Sequence, residues 1–179
     1  MFERLLVPVD GSDESARALA QGAALARALG ASLHALIVVD VRDLETAADA
    51  EPQMEAAAAT LEGTLGAVDT GDLPTTSSVE RGIPDEAIRD YAGAHDIDLV
   101  VMGTHGRTGV RRFVLGSVTE KVCRLADVPV LVVHVDDSAR EVPYDDILVP
   151  TDGSAGAAAA IAPATALART FDARVHVLS

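Results

Sequence analysis

Residues 4–40 read RLLVPVDGSDESARALAQGAALARALGASLHALIVVD, and three patterns follow one another along them. Leu5, Leu6, Val7 and Val9 form a short continuous apolar run, as in a strand buried on both faces. Asp10-Gly11-Ser12 turns the chain, and Ser12 with Asp13 and Glu14 supplies an N-cap and negative charge for a helix start. That helix is predicted to reach Leu29 and close at Gly30. Ser32 to Asp40 is a second apolar strand. Two such strands joined through a helix form a βαβ unit, whose strands run parallel.

The alternation continues. Within the acidic stretch 41–71, Met54, Ala58, Leu61, Leu65 and Val68 recur at helical spacing, with Pro52 near the start. A third, more polar strand is predicted over Thr75 to Gly82. Pro84-Asp85-Glu86 opens a helix with Ala87, Ile88, Tyr91 and Ala92 on one face. A fourth strand spans Asp98 to Gly103, a fourth helix Ser117 to Ala126, and a fifth strand Val128 to Val135. The fold class is α/β, a doubly wound five-stranded parallel sheet with helices on both faces. Ligands of such sheets bind beyond the carboxyl ends of the strands, at the topological switch point.

Composition narrows the function classes. No apolar run approaches the roughly 18 residues that span a bilayer, and residues 1–11 lack the basic and apolar regions of a signal peptide. A cytoplasmic location is expected. The single cysteine, Cys123, excludes an intrachain disulfide framework and a cysteine-cluster metal site, and it is expected to be buried. The formal net charge of −14 opposes a nucleic-acid or anionic-membrane partner. Acidic, arginine-rich and alanine-rich composition, with Lys121 the single lysine, suggests a salt-adapted source. Positive charge gathers in one place: Arg107, Arg111, Arg112, Lys121 and Arg124 stand against Glu120 between Gly103 and Arg124.

That segment, 101–121, reads VMGTHGRTGVRRFVLGSVTEK. Its spacing is Gly103-x2-Gly106-x9-Gly116-Ser117. Glycine directly after a strand lets a ligand approach the backbone. A Gly-Ser pair at a helix start directs the amides of Ser117, Val118 and Thr119 at phosphate oxygens. The Ser117 and Thr119 hydroxyls add donors or reach a phosphate-bound metal, and the arginines add charge. There is no Walker lysine before Ser117 and no GxGxxG in the chain. Ser117-x-x-Glu120 is also a capping box, which needs no ligand.

Other residues stay open. Asp10 suits a Mg²⁺ ion or a ribose hydroxyl, but equally an Asx turn. His105 reads as a ligand-contacting or solvent-facing loop residue, and His34 as packing or polar lining. Arg111 and Arg112 fit a solvated loop as well as phosphate contact.

The opening pattern returns after an acidic connector. LLVPVDGS (5–12) matches ILVPTDGS (147–154), and at a constant offset of 142, 16 of the 37 positions from Met1 to Ile37 are identical. Such self-similarity marks an internal repeat. The expected organisation is a domain over 1–135, a linker over 136–146 and an incomplete second repeat over 147–179. The expectation is a tandem protein cut short in its second unit, without a second glycine loop.

The three-glycine motif after a Val-Val-Met strand, together with the N-terminal Val7-Pro8-Val9-Asp10, resembles the universal stress protein family over 1–135. The resemblance implies a Rossmann-like sheet in the order 3-2-1-4-5, as in the adenine nucleotide alpha hydrolases. It also implies ATP binding, with Mg²⁺ or Mn²⁺ as companion, and a homodimer through the last strand, around Val130 to His134. By position, Pro8, Val9, Asp10 and Val38 flank the ribose and base. Met102, Gly103, His105, Gly106 and Arg107 line the ribose and phosphate path, and Gly116, Ser117, Val118 and Thr119 hold the phosphates. The function expected is a nucleotide-responsive stress module with slow or no ATP hydrolysis, since no catalytic base is evident. Competing readings are a genuine slow ATPase and a protein-interaction module without nucleotide; SGGxDS and HxGH signatures of nucleotidyl-transferring relatives are absent.

Overall fold

β1 (Arg4–Val9), α1 (Asp13–Leu29) and β2 (Ser32–Asp40) build the predicted βαβ unit in a computed structural model that describes residues 2–44, 46, 50–104, 115–133 and 143–179. β1 and β2 pair parallel from Arg4↔Ser32 to Val9↔Ile37. A 3-10 turn (Val41–Asp43) and α2 (Ala50–Gly66) lead to β3 (Thr75–Gly82). α3 (Pro84–Ala94), β4 (Leu99–Gly103), α4 (Ser117–Leu125) and β5 (Val130–Val133) complete the alternation. The strands form one parallel sheet in the order β3-β2-β1-β4-β5, as expected.

The core lies on both sides of the central strands. Leu5, Leu6, Val7, Leu33 and Leu36 are fully buried. On one face Leu6, Leu36, Val100 and Met102 pack with Ile88, Tyr91 and Ala92 of α3 and Val122 of α4. On the other face α1 sits close to the sheet at Gly22, where an added Cβ would stand 2.6 Å from Val7 Cγ2.

Local chemistry sets the boundaries. Ser12 caps α1 by accepting from Ser15 N–H, and Gly30 closes it in the left-handed conformation at φ 66°. β1 stops at Val9, because the Asp10 carboxylate accepts from the Ser12 N–H and hydroxyl and turns the chain. In α2 the buried face is Ala50, Ala57 and Leu61, while the predicted Ala58 is exposed, being farther around the helix from Leu61 than Ala57 is. Cys123, expected to be buried, is exposed on α4; partial desolvation still raises its thiol pKa above the usual value.

The chain divides into two compact units, the sheet just described and a smaller one within residues 140–179. The smaller unit contains β6 (Asp146–Pro150), α5 (Ala155–Ala159), α6 (Ile161–Phe171) and β7 (Arg174–Leu178), with β6 and β7 paired parallel. Its register, Asp146↔Arg174, is that of Arg4↔Ser32 displaced by the repeat offset. The turns match as well. Gly153 takes φ 80° where Gly11 takes 82°, and Ser154 accepts from Ala157 N–H as Ser12 accepts from Ser15 N–H. The long first helix is divided in this copy, because Pro163 brings no N–H and crowds the preceding turn. Among the described residues, no helix is long and apolar enough to cross a membrane.

Candidate functional site

Parallel register sets the geometry at the carboxyl edge of the larger sheet. Leu5 pairs with Leu99 and Leu6 with Val100, so continuing the register puts Val9 level with Gly103. Val9 pairs with Ile37, and Gly103 with Val133. One residue further, Val38, Asp10 and Thr104 stand in a row on three adjacent strands. Neighbouring strands are about 4.8 Å apart, so this row spans roughly 10 Å. From β1 the chain leaves through α1 toward β2, whereas β4 lies on the other side of β1. The row therefore crosses the switch point of the sheet.

The start of α4 is fixed to the end of β4 by two hydrogen bonds. Gly116 N–H donates to Thr104 O at 2.7 Å. The Thr119 hydroxyl donates to Gly103 O at 3.1 Å, and Thr119 is buried. Gly116, not Ser117, is the N-cap residue, and it brings no side chain to the first turn. The capping box anticipated at Ser117-x-x-Glu120 is thus not the arrangement adopted, since Ser117 already lies inside the helix. The first helical bond is Glu120 N–H to Gly116 O at 2.8 Å. The amides of Ser117, Val118 and Thr119 precede the helix's own hydrogen bonding, at its positive end. Ser117 is exposed and Val118 half-buried.

The remaining expected residues occupy distinct positions. Pro8 lies in β1 opposite Leu36, Val9 and Met102 are buried strand residues, and Gly103 ends β4. Val38 is half-buried against the α3 and α4 side of the core. Asp10 forms the Asx turn, its Oδ1 accepting from Ser12 N–H at 3.0 Å and from Ser12 Oγ–H at 2.6 Å. The Thr119 hydroxyl, expected to face phosphate or metal, is directed to the end of β4. His105, Gly106, Arg107, Arg111, Arg112 and His134 lie outside the described residues.

A charged group beside this edge was not legible in the spacing. Arg42 Nε donates to both carboxylate oxygens of Asp40, at 2.8 and 3.0 Å, and these bonds hold Asp40 below the usual carboxylate pKa. The nearby Lys121 ammonium acts in the same direction. Lys121 Nζ in turn donates to Asp85 Oδ1 at 3.0 Å. Asp85 follows Pro84 in the first turn of α3, where an acidic residue reads simply as a complement to the helix dipole. Among the described residues, no group of three or more His, Cys, Asp or Glu side chains is placed to hold a metal ion.

Comparison with known proteins gives consistent matches. The model of the universal stress protein family matches residues 1–134. Universal stress protein MJ0531 of Methanocaldococcus jannaschii is 35% identical over 142 residues, 74% of this chain and 82% of that protein. Among solved structures, universal stress protein UspA from Lactobacillus plantarum is similar at a TM-score of 0.62 and 31% identity, covering 73% of this chain and 97% of that one. A universal stress protein solved in complex with cAMP is similar at 0.52 and 26% identity, covering 74% and 97%.

Proposed function

The chain belongs to the universal stress protein family, and from that premise we propose that it binds ATP at the carboxyl edge of the β3-β2-β1-β4-β5 sheet. One observation carries the reading. The start of α4, with Gly116 as its cap, is held by Thr104 and Gly103 at the switch point, so that its first-turn amides face the edge. A triphosphate fits that donor set, and a base fits beside Val38, between β2 and the α3 side of the core. The similarity to a family member solved with cAMP supports an adenine nucleotide as the ligand class. Gly106 and Arg107 extend the phosphate path, and Mg²⁺ or Mn²⁺ accompanies the phosphates.

The protein acts as a nucleotide-responsive module with slow or no hydrolysis. Phosphoryl transfer needs a base or a water-positioning group as well as a charge clamp. The carboxylate of Asp10 is engaged in its turn, and Lys121 is held by Asp85. The assembled form is a homodimer through β5, around Val130 to His134, and residues 147–179 open a second unit of the same kind, in a tandem arrangement. A cytoplasmic setting fits this role.

Thermal unfolding with ATP and Mg²⁺ tests the nucleotide reading. At ligand concentrations about 100 times Kd the folded state gains about 2.7 kcal/mol, seen as a rise in Tm. Gly116→Val, whose side chain obstructs phosphate approach, abolishes the rise. An unchanged Tm in the parent protein overturns the reading.

A further inference from the structure

Asp85 is one of three buried polar or charged residues among those described, at 5% exposure, and dipole complementation alone does not require burial. An acidic residue in a first helical turn serves the dipole while remaining in water. Here the carboxylate is enclosed where α3 meets α4, and a buried carboxylate is costly unless it is paired. Its partner is Lys121, whose ammonium lies 3.0 Å away while its side chain stays 43% exposed. Asp40, at the end of β2, and Arg42, in the 3-10 turn that follows, complete the surroundings. Lys121 stands one helical turn beyond Ser117, so the pair joins the start of α3 to the first turns of α4. The other ties on α4 run to β4, through Gly116 and Thr119. Asp85 acts on the opposite flank.

We propose that Asp85, through its ion pair with Lys121, is a positioning residue that orients the start of α4 for phosphate, and that Lys121 is committed to this pair rather than to the ligand. The inference rests on the nucleotide-binding reading and deepens it. Withdrawing Lys121 toward a phosphate leaves Asp85 buried and unpaired, which costs more than one exposed phosphate contact returns.

The sign of two substitutions separates the possibilities. Under positioning, Asp85→Asn and Lys121→Gln both weaken ATP binding, by about tenfold each. Under direct phosphate contact, Asp85→Asn releases Lys121 and tightens binding, while Lys121→Gln weakens it. Calorimetry on the full chain reads ATP·Mg²⁺ and adenosine in parallel. Adenosine affinity stays within about twofold of the parent, since the change is confined to the phosphate end. Lys121→Arg, which keeps the charge, restores ATP affinity. If Asp85→Asn fails to fold by far-ultraviolet circular dichroism, Asp85→Ser, which likewise removes the charge that holds Lys121, repeats the sign test: weaker ATP binding supports positioning and tighter binding overturns it. Tighter ATP binding by Asp85→Asn, unchanged binding by Lys121→Gln, or equal losses for ATP and adenosine overturn the inference while leaving the nucleotide site intact. A parent protein that binds no ATP overturns both.

Discussion

His34 occupies β2 with its Nδ1 3.1 Å from the Tyr91 hydroxyl, which also lies 3.0 Å from Ser78 Oγ. The Tyr91 ring stacks on His95 at a centroid distance of 3.8 Å, and His95 Nδ1 lies 3.0 Å from the Tyr91 carbonyl. Three elements, β2, β3 and α3, thus meet through one phenol. Burial first, and then the charges of His95 and of Arg4, itself paired with Asp96, push the His34 pKa below its ordinary value of 6.5. The consequence for stability has a definite sign. Above 6.5 the ring is neutral in folded and unfolded chains, and the full contribution is present. As pH falls below 6.5 the unfolded chain takes up the proton first, so stability is lost down to the lowered folded pKa. Thermal unfolding between about pH 7 and about pH 5 should show Tm falling on acidification, with a shallower fall in His34→Gln. Equal slopes in the two proteins would show that His34 does not contribute. Spacing alone placed His34 on a strand and left its role between packing and polar lining, because its hydrogen-bond partner, Tyr91, comes from 57 residues farther along the chain.

Helices and strands were legible because burial imposes period. β2 and β3 have the bounds expected from their apolar and β-branched runs, and α1 is closed by Ser12 and Gly30, whose local chemistry needs no tertiary contact. The helix starting at Ser117 was legible too, but not its cap, since Gly-Ser-x-x-Glu supports a cap at either residue and the Thr104 carbonyl decides between them. Asp85 was missed for a similar reason. Its burial depends on where α4 crosses, which no local pattern records. Helix α1 offers a test of how far propensity yields to packing. Alanine at an interior helical glycine ordinarily stabilises by about 1 kcal/mol. At Gly22 the new Cβ meets Val7 Cγ2 at 2.6 Å, with Leu33 and Val101 also close, and Val7 is fully buried in the central strand. Gly22→Ala is expected to destabilise by about 1–3 kcal/mol, as overpacking does. The repeat has Ala164 at the equivalent place, so the restriction belongs to the first copy. Denaturant unfolding gives the answer, and a higher midpoint in the variant would mean that α1 shifts freely over the sheet.

At the scale of the molecule, the repeat shows which parts of a βαβ unit are self-sufficient. Turn, cap and register recur at residues 146–178 as at 4–36, so they are encoded locally. Burial recurs only in part: Val149 and Ala168 are buried as Val7 and Ala26 are, but other positions are not. Leu6, Leu19, Leu33, Ala35 and Leu36 are fully buried, whereas their counterparts Leu148, Ile161, Val175, Val177 and Leu178 are between 42% and 66% exposed. In the first copy, Leu6 and Leu36 are covered by α3 and α4, and residues 147–179 contain no counterpart of those helices. Sealing a sheet therefore depends on elements added beyond the unit, and the same reasoning applies at the edge of the larger sheet. β5 is an edge strand whose four residues, Val130, Leu131, Val132 and Val133, are apolar and half-buried. No lysine or proline interrupts this run, and such an edge invites pairing with another chain. The homodimer proposed through β5 would remove that surface from water, and a charge placed in it would oppose association. Val132→Asp should shift the protein from dimer to monomer in light scattering, with the far-ultraviolet spectrum unchanged because Val132 is only partly enclosed within its own chain. A parent protein that is monomeric at all accessible concentrations, or a variant that remains dimeric, would place the assembly surface elsewhere.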